Sequence, residues 1–203
     1  MNWYFLRHGQ INSNLNKVYS GRSDEPLNAC GLQQAHDSIE KVKNAKIDRI
    51  IASPLARTGQ TATILASALG LKVEIEPAFN EMKFGPWEGR SEKKIAQQYP
   101  LEWALWNSSP HKLKLAGRET LTDLQTRVID RMHDIAALGA RKNILVVTHV
   151  AVIRVALLYA QNRPLSEYKT VEVGNCELFP LSLPAAAPHR TPIYSNFLTE
   201  LAP

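Results

Sequence analysis

The sequence predicts an α/β fold in three layers, a mostly parallel central sheet with helices on both faces, and two observations predict it. Short apolar runs alternate along the chain with longer segments whose apolar residues recur every three or four positions, the order of strands joined by helical crossovers. Three of the apolar runs stop abruptly at residues with reactive side chains, Arg7-His8-Gly9, Ser53-Pro54 and Thr148-His149. In parallel sheets the carboxyl ends of the strands are where ligands bind.

Taken in order, Trp3 to Leu6 is a short aromatic and apolar run that reads as a buried strand. A polar loop over 9–31 follows, then a helix over 32–42 with Leu32, Ala35, Ile39 and Val42 on one face. Residues 49–52 form a second strand, and 57–69 a helix with Ala62, Leu65, Ala66 and Leu69 inward and Gly70 as its stop. Val73 to Ile75 alternates with Glu74 and Glu76, which predicts a third strand near the sheet edge. After a glycine-punctuated loop over 80–90, residues 91–110 read as short helices interrupted at Pro100, with Trp103 and Trp106 on one face. Leu121 to Leu138 is the longest helical pattern. Residues 144–147 are the most strand-like run, and Val150 to Tyr159 the last apolar helix. We expect one domain over 1–183 and a Pro-rich tail over 184–203 with one short strand at 193–197.

The 203 residues are 44% hydrophobic and 21% charged, an ordinary globular composition with a formal net charge of +5 that favours anions without naming one. No apolar run approaches the roughly 18 residues that a membrane-spanning helix needs. The apolar stretch before Arg7 is also too short for a secretory leader, so the expected location is cytoplasmic and no membrane partner is expected. Cys30 and Cys176 have neither a disulfide framework nor the spacing of a zinc site, and both read as small buried hydrophobes. The lysine clusters lack interleaved aromatic residues, which argues against nucleic acid.

Singly, a strand-end histidine is most often a hydrogen-bonded structural residue and an arginine a surface cation. Convergence of Arg7, His8, Arg57 and His149 in one pocket would be different: two forked guanidiniums and two imidazoles make a cage for a tetrahedral dianion, above all a phosphoryl group. A neutral imidazole inside that cage can attack phosphorus. A proton donor is then required for the leaving oxygen, and among Asp24, Glu81 and Glu88 it is Glu81 that stands just past the third strand.

These motifs together resemble the histidine phosphatase superfamily, the phosphoglycerate mutase-like proteins. Leu6-Arg7-His8-Gly9-Gln10 with Asn14 is similar to that family's signature, and Tyr19-Ser20-Gly21 with Asp24 to its next block. The run from Ser53 to Ala62 matches its second-arginine motif, Asn80-Glu81-Met82 with Phe84 to Gly89 its acid-bearing loop, and Val147-Thr148-His149 with Ile153-Arg154 its second-histidine motif. The resemblance implies the phosphoglycerate mutase-like fold and a phosphoryl transfer in which His8 becomes phosphorylated. It implies that Arg7, Arg57 and His149 hold the phosphoryl oxygens, that Glu81 acts as acid and then base, and that Asn14, Ser20 and Gly21 line the pocket. It implies no metal and no cofactor. Many members carry glycine after the second histidine; here Val150-Ala151 stands there, and Val150 is read as a pocket wall.

About 30 residues separate Gly89 from Arg118, too few for the extra segment of cofactor-dependent mutases, so the phosphatase branch is favoured over mutase-type transfer. Within that branch the stretch 99–120 is similar to metal-independent phosphoserine phosphatases, and Tyr19-Ser20-Gly21 with residues 80–88 to α-ribazole phosphatases. The expected partner is a small phosphorylated substrate, with a homodimer left open. A non-catalytic binder of phosphorylated ligands is the alternative from another class.

Overall fold

The computed structural model describes residues 1–139 and 142–183; the predicted tail over 184–203, with its strand at 193–197, lies outside the described residues. Five strands, β1 (Asn2–Arg7), β2 (Arg49–Ala52), β3 (Val73–Ile75), β4 (Asn143–Thr148) and β5 (Leu178–Leu181), form one sheet in the order β3-β2-β4-β1-β5. The first four pair in parallel and β5 runs antiparallel along β1. Eight helices surround it among the described residues: α1 (Asn12–Leu15), α2 (Ala29–Asp37), α3 (Ile39–Asn44), α4 (Ala56–Leu69), α5 (Glu92–Gln98), α6 (Pro100–Ser108), α7 (Leu121–Ala137) and α8 (Val150–Ala160). None is long and apolar enough to cross a membrane.

The three layers follow from the two-residue period of the strands. On β4, Leu145 and Val147 join Leu6, Ile50 and Ala52 in a core shared with Ala35, Val42, Ala62 and Leu65 of α2, α3 and α4. Ile144 and Val146 face the other way, with Trp3, Phe5 and Ile51, into a core shared with α7 and α8. Because β4 is buried on both faces its sequence is apolar without alternation. Strand β3, half polar in sequence, is an edge strand as expected, fastened by two hydrogen bonds from Arg49 to Glu74.

Helix α7 begins with a capping box: the Thr120 hydroxyl accepts from the Asp123 amide while the Asp123 carboxylate accepts from the Thr120 amide. Its buried face is Leu121, Leu124, Val128, Ile129, Met132 and Ile135, each large side chain contributing about 2 kcal/mol of burial. Helix α4 stops at Gly70 in the left-handed conformation, also as predicted.

Four expectations need correction. The helix expected over 32–42 is two helices broken at Ser38, whose hydroxyl donates to the Ala35 carbonyl at 2.8 Å and competes with the helical ladder. Leu32, expected on the inner face, is 41% exposed, because α2 buries Gly31 and Ala35 instead. Cys30, read as buried, is exposed on the first turn of α2, while Cys176 is buried as expected. Strand β5 was not expected at all. Its Pro180 reads as a strand breaker, but on an outer strand the missing N–H is not needed by a neighbour.

One contact ties this frame to the loop after β1. Gly9 and Gly31 approach so closely that a Cβ on Gly31 would lie against the backbone oxygen and nitrogen of Gln10, and one on Gly9 against the Gly31 carbonyl. The first turn of α2 is thereby pressed onto the strand end. Gly31→Ala is expected to lower stability by about 1–3 kcal/mol through this overpacking. Thermal unfolding followed by circular dichroism checks it, and an unchanged melting temperature contradicts the reading.

Candidate active site

Strand register brings the reactive residues together. Arg7 pairs with Thr148 across β1 and β4, and Ala52 with Val147 across β2 and β4. The next residues, His8, His149 and Ser53, therefore leave three adjacent strands side by side at one end of the sheet. Neighbouring strands lie about 4.8 Å apart. The two imidazole centroids are 5.3 Å apart, at an interplanar angle of 61°. The His8 amide donates to the Thr148 carbonyl at 3.0 Å, extending the pairing one residue into the site.

Hydrogen bonds fix which imidazole nitrogens carry protons. His8 Nδ1 lies 2.7 Å from the Gly9 carbonyl oxygen, which can only accept, so Nδ1 bears the proton and Nε2 is the bare, nucleophilic nitrogen. On the other side Thr58 Oγ1 lies 2.7 Å from the Leu55 carbonyl and 3.0 Å from the Ser53 carbonyl, so its proton goes to a backbone oxygen. Ser53 Oγ then donates to Thr58 Oγ1 at 2.8 Å and accepts from His149 Nε2 at 2.6 Å. His149 Nδ1 is buried with no partner among the described residues and is the nitrogen left for a ligand. His149 also stands at the N-cap of α8, whose amide dipoles favour an anion there.

The arginines are half occupied. Arg57, fully buried on the first turn of α4, donates through Nη1 to the Ser23 carbonyl at 2.7 Å and through Nη2 to the Gly21 carbonyl at 2.8 Å, leaving Nε without a partner among the described residues. Arg7 donates through Nη1 to the Val173 carbonyl at 2.8 Å, and its Nε is likewise free. Burial lowers the pKa of both guanidiniums, and Glu81 is the largest influence holding each of them up. Its carboxyl is only 5% exposed and accepts from the Met82 amide at 2.8 Å. Burial pushes Glu81 above the ordinary carboxylate range, against the pull of the Met82 N–H and of Arg57, Arg7 and Arg127. Burial acts the other way on His8 and His149, both held well below 6.5, with Arg57 the next influence on each. Two cations, two neutral imidazoles and a carboxyl whose pKa burial raises can together bind, attack and protonate an oxyanion ester.

The supporting residues sort differently. Gly21 and Ser20 form the turn whose carbonyl Arg57 grips, with Gly21 at φ +52° and its α-carbon against the Glu88 side chain. Asn14 Oδ1 accepts from the Ile11 amide and from Asn175 Nδ2, so its oxygen is engaged in shaping the loop. Val150 is the first residue of α8, half-buried and packed on the core. Asp24 instead accepts from the Ala56 amide at the start of α4, and Glu88 from the Phe84 amide; neither is a partner of the cage arginines by hydrogen bond. Among the described residues no group of three or more His, Cys, Asp or Glu side chains is placed to hold a metal ion.

The sequence pattern of the Histidine phosphatase superfamily (branch 1) matches residues 3–189. The chain belongs to the histidine phosphatase superfamily. A relative in Escherichia coli, named adenosylcobalamin/alpha-ribazole phosphatase, is 31% identical over 154 residues, 75% of each chain. A Yersinia pestis relative carrying the name "Probable phosphoglycerate mutase GpmB" is 29% identical over 86% of this chain and 81% of its own. Among solved structures, the alpha-ribazole phosphatase of Shigella flexneri superimposes with a TM-score of 0.79 at 26% identity, covering 89% of both chains. The YhfR protein of Bacillus stearothermophilus shares the fold, with a TM-score of 0.83 at 22% identity over 88% of this chain and 89% of its own. The chain is an enzyme of the phosphoric monoester hydrolase class.

Sequence reasoning missed part of this histidine phosphatase's site. Ser53, singled out in sequence only as a strand-end residue with no role of its own, is the hydrogen-bond partner of His149, and the N-cap of α4 is Leu55. Arg127, on the polar side of α7, clamps the acid loop by donating to the carbonyls of Ala78, Asn80 and Glu81. Asn175 donates to the His8 carbonyl at 2.9 Å. Only Ser53 carried a signal, its position at a strand end.

Two buried imidazoles held well below 6.5 make stability depend on pH. The unfolded chain takes up protons on these histidines near pH 6.5 and the folded chain does not, so stability is lost as pH falls below that value. The loss amounts to about 1.4 kcal/mol per histidine per pH unit. Glu81, raised by burial, works in the opposite sense but is one group against two. The melting temperature is expected to drop between pH 7 and pH 5, and less steeply in a His8→Asn, His149→Asn double variant; equal slopes in the two proteins would refute the assignment.

Proposed function

We propose that this chain is a metal-independent phosphatase that hydrolyses a small phosphomonoester through a phosphohistidine on His8. The observation that carries this reading is the hydrogen bond from His8 Nδ1 to the Gly9 carbonyl, which commits the ring to the tautomer with a bare Nε2 beside two partly unfilled guanidiniums. In the first step Nε2 attacks phosphorus, the P–O ester bond breaks, and the carboxyl proton of Glu81 passes to the leaving oxygen. In the second, the Glu81 carboxylate takes a proton from water, the hydroxide attacks phosphorus, and the P–N bond breaks to give inorganic phosphate and neutral imidazole. Arg7 and Arg57 carry the equatorial oxygens through both steps, supplying the positive charge that a metal provides elsewhere, and the bare Nδ1 of His149 accepts from a phosphoryl oxygen that carries a proton.

The candidate substrates are α-ribazole 5'-phosphate, supported by the name and 31% identity of the Escherichia coli relative, and phosphoserine, supported by the resemblance over residues 99–120. Mutase-type transfer differs only in the acceptor, an alcohol in place of water, and the relative named for phosphoglycerate mutase keeps that acceptor in view.

Three measurements test the proposal. Rapid acid quenching with labelled substrate is expected to trap an acid-labile phosphoenzyme that His8→Ala does not form, with turnover lost by at least about a thousandfold. An acid-stable adduct contradicts the nucleophile. Glu81→Gln is expected to slow alkyl phosphates about a hundredfold or more while sparing aryl phosphates, whose leaving groups need no proton. Equal losses on the two classes remove Glu81 from that role. Activity that vanishes in a chelator and returns with magnesium would sink the metal-free chemistry.

A further inference from the structure

Next to the acid loop lies a second group of cations that the proposed chemistry does not use. Arg118 is only 8% exposed, its guanidinium 4.2 Å from the ring centroid of Trp106 and 5.2 Å from that of Trp87. Its Nη2 touches Met82 Sδ at 3.9 Å, and its Nε and Nη1 are buried without a partner among the described residues. Lys169 Nζ lies 4.6 Å from the same Trp106 ring and 3.3 Å from Asn107 Oδ1. Arg154 sits 5.0 Å over Tyr168, whose ring is 5.3 Å from Trp106. Three cations are thus gathered around one aromatic pair.

None of the three has a carboxylate within 4.0 Å among the described residues. Glu119, adjacent to Arg118 in sequence, turns instead to Arg127 at 2.6 Å and Arg22 at 3.9 Å. Glu92 acts on Lys169 only at longer range, and burial with the charges of Arg154 and Arg118 pushes that ammonium down to about 8. Cation–π contact offsets part of the desolvation of Arg118 but satisfies no N–H. Buried donors without acceptors and like charges without a counter-charge are both costly, and one anion would relieve both.

The position of the cluster says where that anion comes from. Arg118 rests on Met82, the residue after Glu81. The strand of chain from Tyr168 to Val173 runs from the cluster to the cage, gripped by Arg154 at the Val171 carbonyl and by Arg7 at the Val173 carbonyl, both at 2.8 Å. The cluster therefore flanks the side of the cage that holds Glu81, and on the reading above Glu81 faces the leaving group.

We infer that Arg118, Arg154 and Lys169 form a second anion subsite against Trp106, which binds a carboxylate carried by the leaving group of the substrate. The inference rests on the assignment of Glu81 as the leaving-group acid. Its consequence is a substrate class: phosphomonoesters of alcohols that carry a carboxylate are preferred to those of neutral alcohols, which of the two candidates above favours phosphoserine.

The test compares esters that differ only in that charge. One pair is 4-carboxyphenyl phosphate and 4-carbamoylphenyl phosphate; a shorter pair is phosphoglycolate and its carboxamide. At least one pair is expected to show a tenfold or greater kcat/KM advantage for the acid in the wild-type protein. That ratio should fall toward one in Lys169→Met and in Arg118→Met, each scored as a ratio on a single preparation so that lower overall activity does not matter. Equal kcat/KM values within both pairs, or a preference for the amides, overturn the subsite even if neither variant folds. If p-nitrophenyl phosphate is not hydrolysed, the catalytic reading fails separately, and the subsite is judged on the dissociation constants of the same pairs, followed by tryptophan emission. Equal constants for acid and amide then reject it.

Discussion

The whole site hangs on the register of three parallel strands. Arg7 opposite Thr148 and Ala52 opposite Val147 are backbone statements, yet they decide that His8, His149 and Ser53 emerge together. A slip of one residue between β1 and β4 would turn the Leu6 and Phe5 side chains to the wrong faces of the sheet and separate the two imidazoles at the same stroke. The apolar cores on the two faces, one with Leu145 and Val147, the other with Ile144 and Val146, are what forbid that slip. Packing energy is in this way converted into positional precision at the strand ends, without any side chain of the site having to supply it.

Around this frame the positive charge is held by backbone rather than by carboxylates. Arg57 grips the Ser23 and Gly21 carbonyls and Arg7 the Val173 carbonyl. Carbonyl oxygens orient a guanidinium without neutralising it. An arginine paired with a carboxylate would have to break that pair to receive an anion; one seated on carbonyls keeps its full charge for the ligand. The loops that provide these carbonyls are for that reason part of the site, although most of their side chains do not touch it.

The fold was readable where local pattern and tertiary role agree. β4 is apolar in sequence because it is buried on both faces, β3 is half polar because it lies at an edge, and Gly70 and Pro100 act through their own backbone restrictions. It was unreadable where a distant partner decides. Pro180 is tolerated because β5 has β1 on one side and, among the described residues, no strand on the other. Ser38 breaks a helix that apolar spacing would continue, and Cys30 faces out because α2 packs through Gly31 and Ala35. In the site, Arg7, His8, Arg57, Glu81 and His149 stand in local motifs at strand ends. Arg127 lies mid-helix, and its link to the acid loop exists only after α7 has packed, so nothing near it in the chain announces it.

One physical cause sets the protonation of the proposed reagents. Removal of water disfavours whichever form of a group is charged, so the same burial that lowers His8 raises Glu81. A nucleophile is useful as the neutral imidazole and an acid as the neutral carboxyl, and both forms are the ones that burial selects. In water the two would be mismatched near pH 5.5, the imidazole protonated and the carboxyl ionised. The neighbouring guanidiniums then divide the labour: they push His8 further in the useful direction and restrain Glu81 from holding its proton too tightly to release it. Drying the pocket and seating two unneutralised arginines beside it are accordingly a single device, since the cations proposed to bind the phosphoryl group also tune the groups proposed to act on it.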